Sequence, residues 1–149
     1  MTSKEKKRIL LRYGEIDRHI DELEAEKSFW WSRVTSTSPV MSDLPKGGGS
    51  DGTLLEVSVE NIMKIEQQIN DEIDRLATLR DKISSAIQSM TDEREKRVLY
   101  LAYIGKSSAS GQKRLKLHQI AREMNYSVDH INRLHGKALK HINIEDAKL

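Results

Sequence analysis

The apolar positions of the first thirty-odd residues fall at alternating steps of three and four. Ile9, Tyr13, Ile16, Ile20, Leu23, Trp30 and Val34 form the series, with Lys27 as its one polar interruption. That spacing predicts an amphipathic helix with a narrow, coiled-coil-like seam. From about Ser3 to Arg33 it would be roughly 45 Å long. Gly14 lies inside it, where glycine costs about 1 kcal/mol relative to alanine. The pattern stops at "TSTSPVMSDLPKGGGSDG", residues 35–52, which holds both prolines and a triple glycine and reads as a flexible, partly disordered loop. Periodicity resumes at Leu55 and continues through Val59, Ile62, Ile65, Ile69, Ile73, Leu76, Ile83, Ile87 and Met90. Thr53 with Glu56 resembles a capping box that would open this second helix. Two long stripes joined by a loop predict an antiparallel helical hairpin over residues 1–90. So thin a core needs further burial, against the C-terminal part or a second subunit.

At "MTDEREKRVLYLAYIG" a new helix is predicted, with Thr91 as its cap and Asp92 and Glu93 at its positive end. Val98, Leu99, Leu101, Ala102 and Ile104 supply its apolar side, and Gly105 is its stop. Residues 105–114, "GKSSASGQKR", read as a polar, basic loop. After it come a helix near 115–124, a turn at Asn125-Tyr126-Ser127 and a helix near 128–142. Leu117, Ile120, Ala121 and Met124 would face inward from the first of these, and Ile131, Leu134, Ala138 and Ile142 from the second. Tyr126 would fill the corner. Asn125 tolerates the left-handed backbone that ends a helix, and Ser127 can cap the next. This is the layout of a helix-turn-helix, so the expected fold class is all-α: a long hairpin followed by a C-terminal helix-turn-helix domain at 91–149.

The outward residues of the second helix fit a groove. Asn132 can pair with adenine, Arg133 with guanine, and Asp129 can accept from cytosine, while Val128 and His130 complete the candidate base-reading set. Lys137 and Lys140, with Lys113, Arg114, Lys116, Arg122 and Ser127, are candidate phosphate contacts. A polar outer face is also what any solvated helical hairpin shows.

Composition agrees with extended helices more than with one packed globule. Only 37% of the residues are hydrophobic and 32% are charged, as expected where each helix buries a stripe. The absence of cysteine excludes disulfides and thiolate metal sites and suits a reducing cytoplasm. No apolar run approaches the roughly 18–20 residues that span a bilayer, so no membrane partner is expected. The net charge of +2 is unevenly spread. Residues 1–90 carry 13 Lys and Arg against 16 Asp and Glu, and residues 91–149 carry 12 against 7, giving −3 and +5. A polyanion partner is thus expected for the C-terminal part alone.

Residues 117–142, "LHQIAREMNYSVDHINRLHGKALKHI", resemble the helix-turn-helix of sigma-70 region 4 at Leu117, Ile120, Ala121, the 125–127 corner, Ile131, Leu134, Ala138 and Leu139. In that family the first two turns of the second helix read the promoter's −35 element, and the matching positions are Val128, Asp129, Asn132 and Arg133. The family often has Arg or Lys where Val128 and Asn132 stand, which implies a different specificity. The whole layout is similar to small phage and prophage regulators of the RinA and ArpU type, with motif-level likeness confined to about the last 60 residues. The resemblance implies a DNA-binding transcriptional regulator in a bacterial cytoplasm, associated with the nucleoid. Its partners would be double-stranded DNA and RNA polymerase, and it would be a homo-oligomer, with a dimer favoured. No sigma region 2 is visible. Two alternatives stay open: a packaging protein similar to a phage terminase small subunit, and an interaction module that binds no DNA.

Other signals are weaker. "GKSS" at 105–108 lacks the glycine a phosphate-binding loop needs, Tyr100 standing in its place. Among His118, His130, His135 and His141 the near neighbours fall five and six residues apart rather than the four of a helical metal pair, so no metal or other cofactor is expected. Trp30 and Trp31 are turned about 100° apart on a helix. They either close the hairpin's open end or form a partner or dimer surface. The scattered carboxylates, such as Glu93 beside Lys96 and Arg97, suit helix-surface pairs, and no nucleophile–base pairing emerges. An enzyme is not expected.

Overall fold

The computed structural model describes residues 1–36 and 50–144, without the side chains of 36 and 50–53. The described residues form an all-α structure: α1 (Ser3–Ser36), α2 (Ser50–Gln88), α3 (Glu93–Leu99), a π-helical turn (Tyr100–Ile104), α4 (Leu117–Met124) and α5 (Val128–His141). The loop expected at 35–52 is narrower at both ends, and the rest of it lies outside the described residues. Because α2 starts at Ser50, Thr53 sits within the helix and is not its cap. Among the described residues no helix is long and apolar enough to cross a membrane.

The chain divides into two compact units, one of Met1–Asp17 with Arg75–Leu149 and one of Arg18–Asp74. In the second unit α1 and α2 run antiparallel. Lys27 pairs with Glu66 at 3.2 Å and His19 with Glu72 at 3.5 Å, so descending numbers on one helix meet ascending numbers on the other. The seam interruption at Lys27 thus has its counter-charge. Ile20, Leu23, Ile62, Ile65 and Ile69 are buried. The predicted stripe slips on α2: Leu55, Val59 and Ile73 are exposed, and Ser58 is buried. Ser58 can lie there because its hydroxyl donates to the Leu54 carbonyl at 2.8 Å, which gives its one side-chain polar group a partner. Trp30 is half-buried, whereas Phe29 and Trp31 are exposed. The Arg33 guanidinium lies over the Phe29 and Trp30 rings, 4.8 and 5.7 Å from their centres.

The first unit buries Leu10, Tyr13 and Ile16 of α1 and Leu79, Ile83, Ala86 and Ile87 of α2, besides the C-terminal helices. Gly14 belongs here for a steric reason. A Cβ on Gly14 would lie 3.0 Å from Arg114 Cδ, and the Arg114 guanidinium reaches past it to Asp17 at 2.6 Å. Arg114 itself sits at φ 50°, in the left-handed region. Burial pushes the Asp17 carboxyl up, but the Arg114 bond and the Lys113 charge outweigh it and hold the group below the ordinary carboxylate range. Gly14→Ala is therefore expected to stabilise α1 by about 1 kcal/mol in an Arg114→Ala background. In the wild type that gain should vanish. Urea melts of the four chains check this, and equal gains in both backgrounds would refute the contact.

Candidate nucleic-acid interface

The platform begins at α3. Its N-cap is Asp92, not Thr91: the Asp92 carboxylate accepts from the backbone N–H groups of Arg94 and Glu95. After Leu99 the backbone widens into the π turn, closed by the Gly105 N–H donating to the Tyr100 carbonyl at 2.7 Å. The extra residue in that turn places Leu101, Tyr103 and Ile104 all in the interior. Gly105 ends it because the Tyr100 ring occupies the space a Cβ would need.

Residues 105–114 are folded rather than a plain loop. Lys106 and Lys113 form an antiparallel bridge, and the Ser107 N–H donates to the Gln112 carbonyl. Ser107, buried, donates from its hydroxyl to Glu123 of α4 at 2.8 Å and accepts from the N–H groups of Ala109 and Ser110. The Leu115 N–H then donates to the Leu101 carbonyl, delivering the chain to α4 beside the π turn. The Gln119 side chain accepts from the Lys116 N–H and secures the start of α4.

The corner is as the sequence predicts. Asn125 is left-handed at φ 57° and ψ 41°, and the Ser127 hydroxyl accepts from the His130 N–H to cap α5. Val98, Leu101, Leu115, Ile120, Ala121, Ile131 and Leu134 make one buried cluster, with Leu117, Met124 and Tyr126 partly buried against it. Ala121, almost fully buried, leaves room where α4 and α5 approach. This cluster sets the direction of α5, and with it every outward side chain.

Val128, Asp129, Asn132 and Arg133 are exposed together on the first two turns of α5. His130 differs from them. Its ring stacks on Tyr126 at 4.6 Å and is half-buried, so the corner already holds it. Arg133 is anchored at Nε, which lies 3.4 Å from the Asp129 carbonyl, and among the described residues its outer nitrogens have no partner. Lys116, Arg122, Lys137 and Lys140 are exposed. The candidate phosphate residues Lys113 and Arg114 are instead turned toward Asp17, at 3.5 and 2.6 Å. Arg114 is the more committed of the two, being only partly exposed.

Two polar pairs, one buried and one between an exposed histidine and a buried carboxylate, support α5 from behind, and neither has a sequence signature. The Tyr103 hydroxyl lies 2.6 Å from His135 Nε2. Burial pushes Tyr103 up to about 12. Burial first, and the Lys7 charge second, push His135 below its ordinary value. Both directions favour the neutral pair, in which the phenol donates and the imidazole accepts. Near the end of α5, His141 Nδ1 meets the buried Glu95 carboxylate at 2.8 Å. A histidine in these places tells little in sequence, because packing and surface histidines share the same spacing.

In comparison with known families, residues 86–143 match the family described as Sigma-70, region 4. No curated protein and no solved structure matches the chain.

Proposed function

Because residues 86–143 carry a sigma-70 region 4 domain of the DNA-binding helix-turn-helix type, we propose that the chain is a sequence-specific transcriptional regulator of phage type, acting with RNA polymerase at a promoter. The observation that carries this reading is the exposed row Val128, Asp129, Asn132 and Arg133 on a helix whose opposite face is locked into a buried core. Hydrogen-bonding side chains at the start of such a helix meet base edges, while the cations farther along meet phosphates. Lys116, Arg122, Lys137 and Lys140 take the phosphate role, and Lys113 joins them only by leaving Asp17. His130 acts by fixing the corner more than by reading a base. No catalytic step belongs to this reading, and the setting is a bacterial cytoplasm.

The Arg18–Asp74 unit serves as the partner surface, with a second copy of the chain as its first candidate. Phe29, Trp31, Leu54, Val57, Val59 and Met63 are exposed on it, more large apolar side chains than a monomeric hairpin needs at its surface. Sedimentation of the purified chain decides between monomer and dimer.

The test of the reading is selection of the protein against a random duplex library, followed by two variants on the selected site. Arg133→Ala is expected to lose about 1–3 kcal/mol of discrimination at one base pair. Lys140→Ala should weaken binding to all sequences alike and reduce the slope of log K against log salt by about one unit. Equal losses on selected and random DNA for both variants would refute the reading face.

A further inference from the structure

The first turns of α1 carry Lys4, Lys6, Lys7, Arg8 and Arg12, and the structure gives them different tasks. Lys6 turns inward along the molecule's surface. Its ammonium donates to the Lys140 carbonyl at 3.1 Å, next to the final turn of α5, where the helix presents unpaired carbonyls and the negative end of its dipole. Lys7 lies close enough to His135 for its charge to disfavour the imidazolium. The Lys6 hydrogen bond, with Lys7 near His135, places this part of α1 beside the C-terminal half of α5. Lys4, Lys7 and Arg8 are exposed, and helical spacing puts them on one side of α1. None of the three forms an ion pair among the described residues. The nearest carboxylate in sequence, Glu5, is bonded by the Thr2 N–H and hydroxyl, at 2.6 and 3.1 Å, and of the three only Arg8 also acts on it by its charge.

The wider charge distribution points the same way. By sequence count the unit of residues 1–17 and 75–149 has 20 Lys and Arg against 11 Asp and Glu, a net +9, whereas residues 18–74 have 5 against 12, a net −7. The basic surplus therefore belongs wholly to the unit that holds the helix-turn-helix. Lys137 and Lys140 put cations on the outward side of α5, and the start of α1 adjoins that end of the helix through Lys6. Such a run of cations, none in an ion pair among the described residues, matches the regular negative charge of a duplex backbone.

We infer that Lys4, Lys7 and Arg8 extend the basic edge of α5 onto α1 and bind DNA phosphates flanking the site that α5 reads. This inference rests on the DNA-binding reading above. It makes α1 part of the interface itself, although more than 100 residues separate its first turns from the helix-turn-helix in sequence. The contacts carry no base information, so they lengthen the footprint and raise affinity without changing the motif.

The experiment compares the full chain with the triple variant Lys4→Gln, Lys7→Gln, Arg8→Gln. Binding is titrated against salt on a random-sequence duplex, on the selected motif alone, and on that motif extended on both sides. The variant is expected to flatten the slope of log K against log salt by about two to three units on the extended duplex. It should lose the same factor on random duplex of equal length and much less on the trimmed motif. A second variant, Lys4→Glu with Lys7→Glu, places acid at the start of α1, where it favours the helix, and a still larger loss of binding with an unchanged urea midpoint separates the lost contact from unfolding. Wild-type and triple-variant curves of equal slope would overturn the α1 contact and leave the DNA-binding reading standing. If the wild type binds no duplex even at low salt, both fall together.

Discussion

Replacing Ile131 by alanine is expected to remove about 2–5 kcal/mol of stability, a large share of what a domain of this size possesses. Ile131 is fully buried, in the cluster that joins α4, α5, the π turn and the end of α3. Truncation there loses transfer free energy and leaves a cavity that the neighbouring Ile120 and Leu134 can only partly fill. The next two residues have the opposite role: Asn132 and Arg133 are exposed and contribute little to stability. Ile131→Ala should therefore melt early in urea yet, while folded, bind the selected site with wild-type discrimination. Arg133→Ala should melt normally and lose discrimination at one base pair of the site. A loss under about 1 kcal/mol for Ile131→Ala would mean that the cluster does not hold α5 in place.

Tyr103→Phe is the second change with a large expected effect. It leaves His135 Nε2 buried without its donor, which costs about 1–3 kcal/mol. The same pair imposes a pH dependence of definite sign. Burial holds His135 below its unfolded value near 6.5, so the unfolded chain binds the proton more readily than the folded one. The contribution to stability is fully present above the unfolded value and is lost as pH falls from there through the lower, folded value. Urea midpoints across that window should drop with acidification in the wild type and drop less in His135→Gln, whose side chain does not titrate. Parallel curves for the two chains would show that His135 is already free to protonate in the fold.

The parts of this architecture that local chemistry dictates are legible in the sequence. Asn125 adopts the left-handed backbone, Ser127 caps α5, and Ile120, Ile131 and Leu134 face inward, because each follows from one residue's own preferences or from a 3.6-residue period. The start of α3 is off by one residue, since Thr91 and Asp92 are both competent caps and only the backbone decides between them. On α2 the stripe slips for a different reason. A period alone does not say that Ser58 can go inside by bonding to its own helix, or that Leu79 is needed there in place of Ile73. Tyr103 is missed because it reaches the interior only through the wider π turn. The commitment of Lys113 and Arg114 to Asp17 spans more than 90 residues, and Gly14 is its one local trace, read from sequence merely as a helix-weakening residue. Side chains that could serve DNA or the fold equally well are told apart only by what stands opposite them.

The Lys6–Lys140 contact joins residues 134 positions apart, and it lies within the same compact unit as the Asp17–Arg114 pair. For a helical protein this is an unusually non-local arrangement, and it bears on how the chain reaches its fold. Helices α4 and α5 can form and pair as soon as they exist, but their support on α1 requires closing a loop that contains almost everything between. Folding is thus expected to be slower than a helical bundle of similar size would allow, with docking of the first seventeen residues as the late step. During synthesis that segment leaves the ribosome early and can meet the end of α2 first, but its contacts with Arg114 and Lys140 wait until the last helices follow.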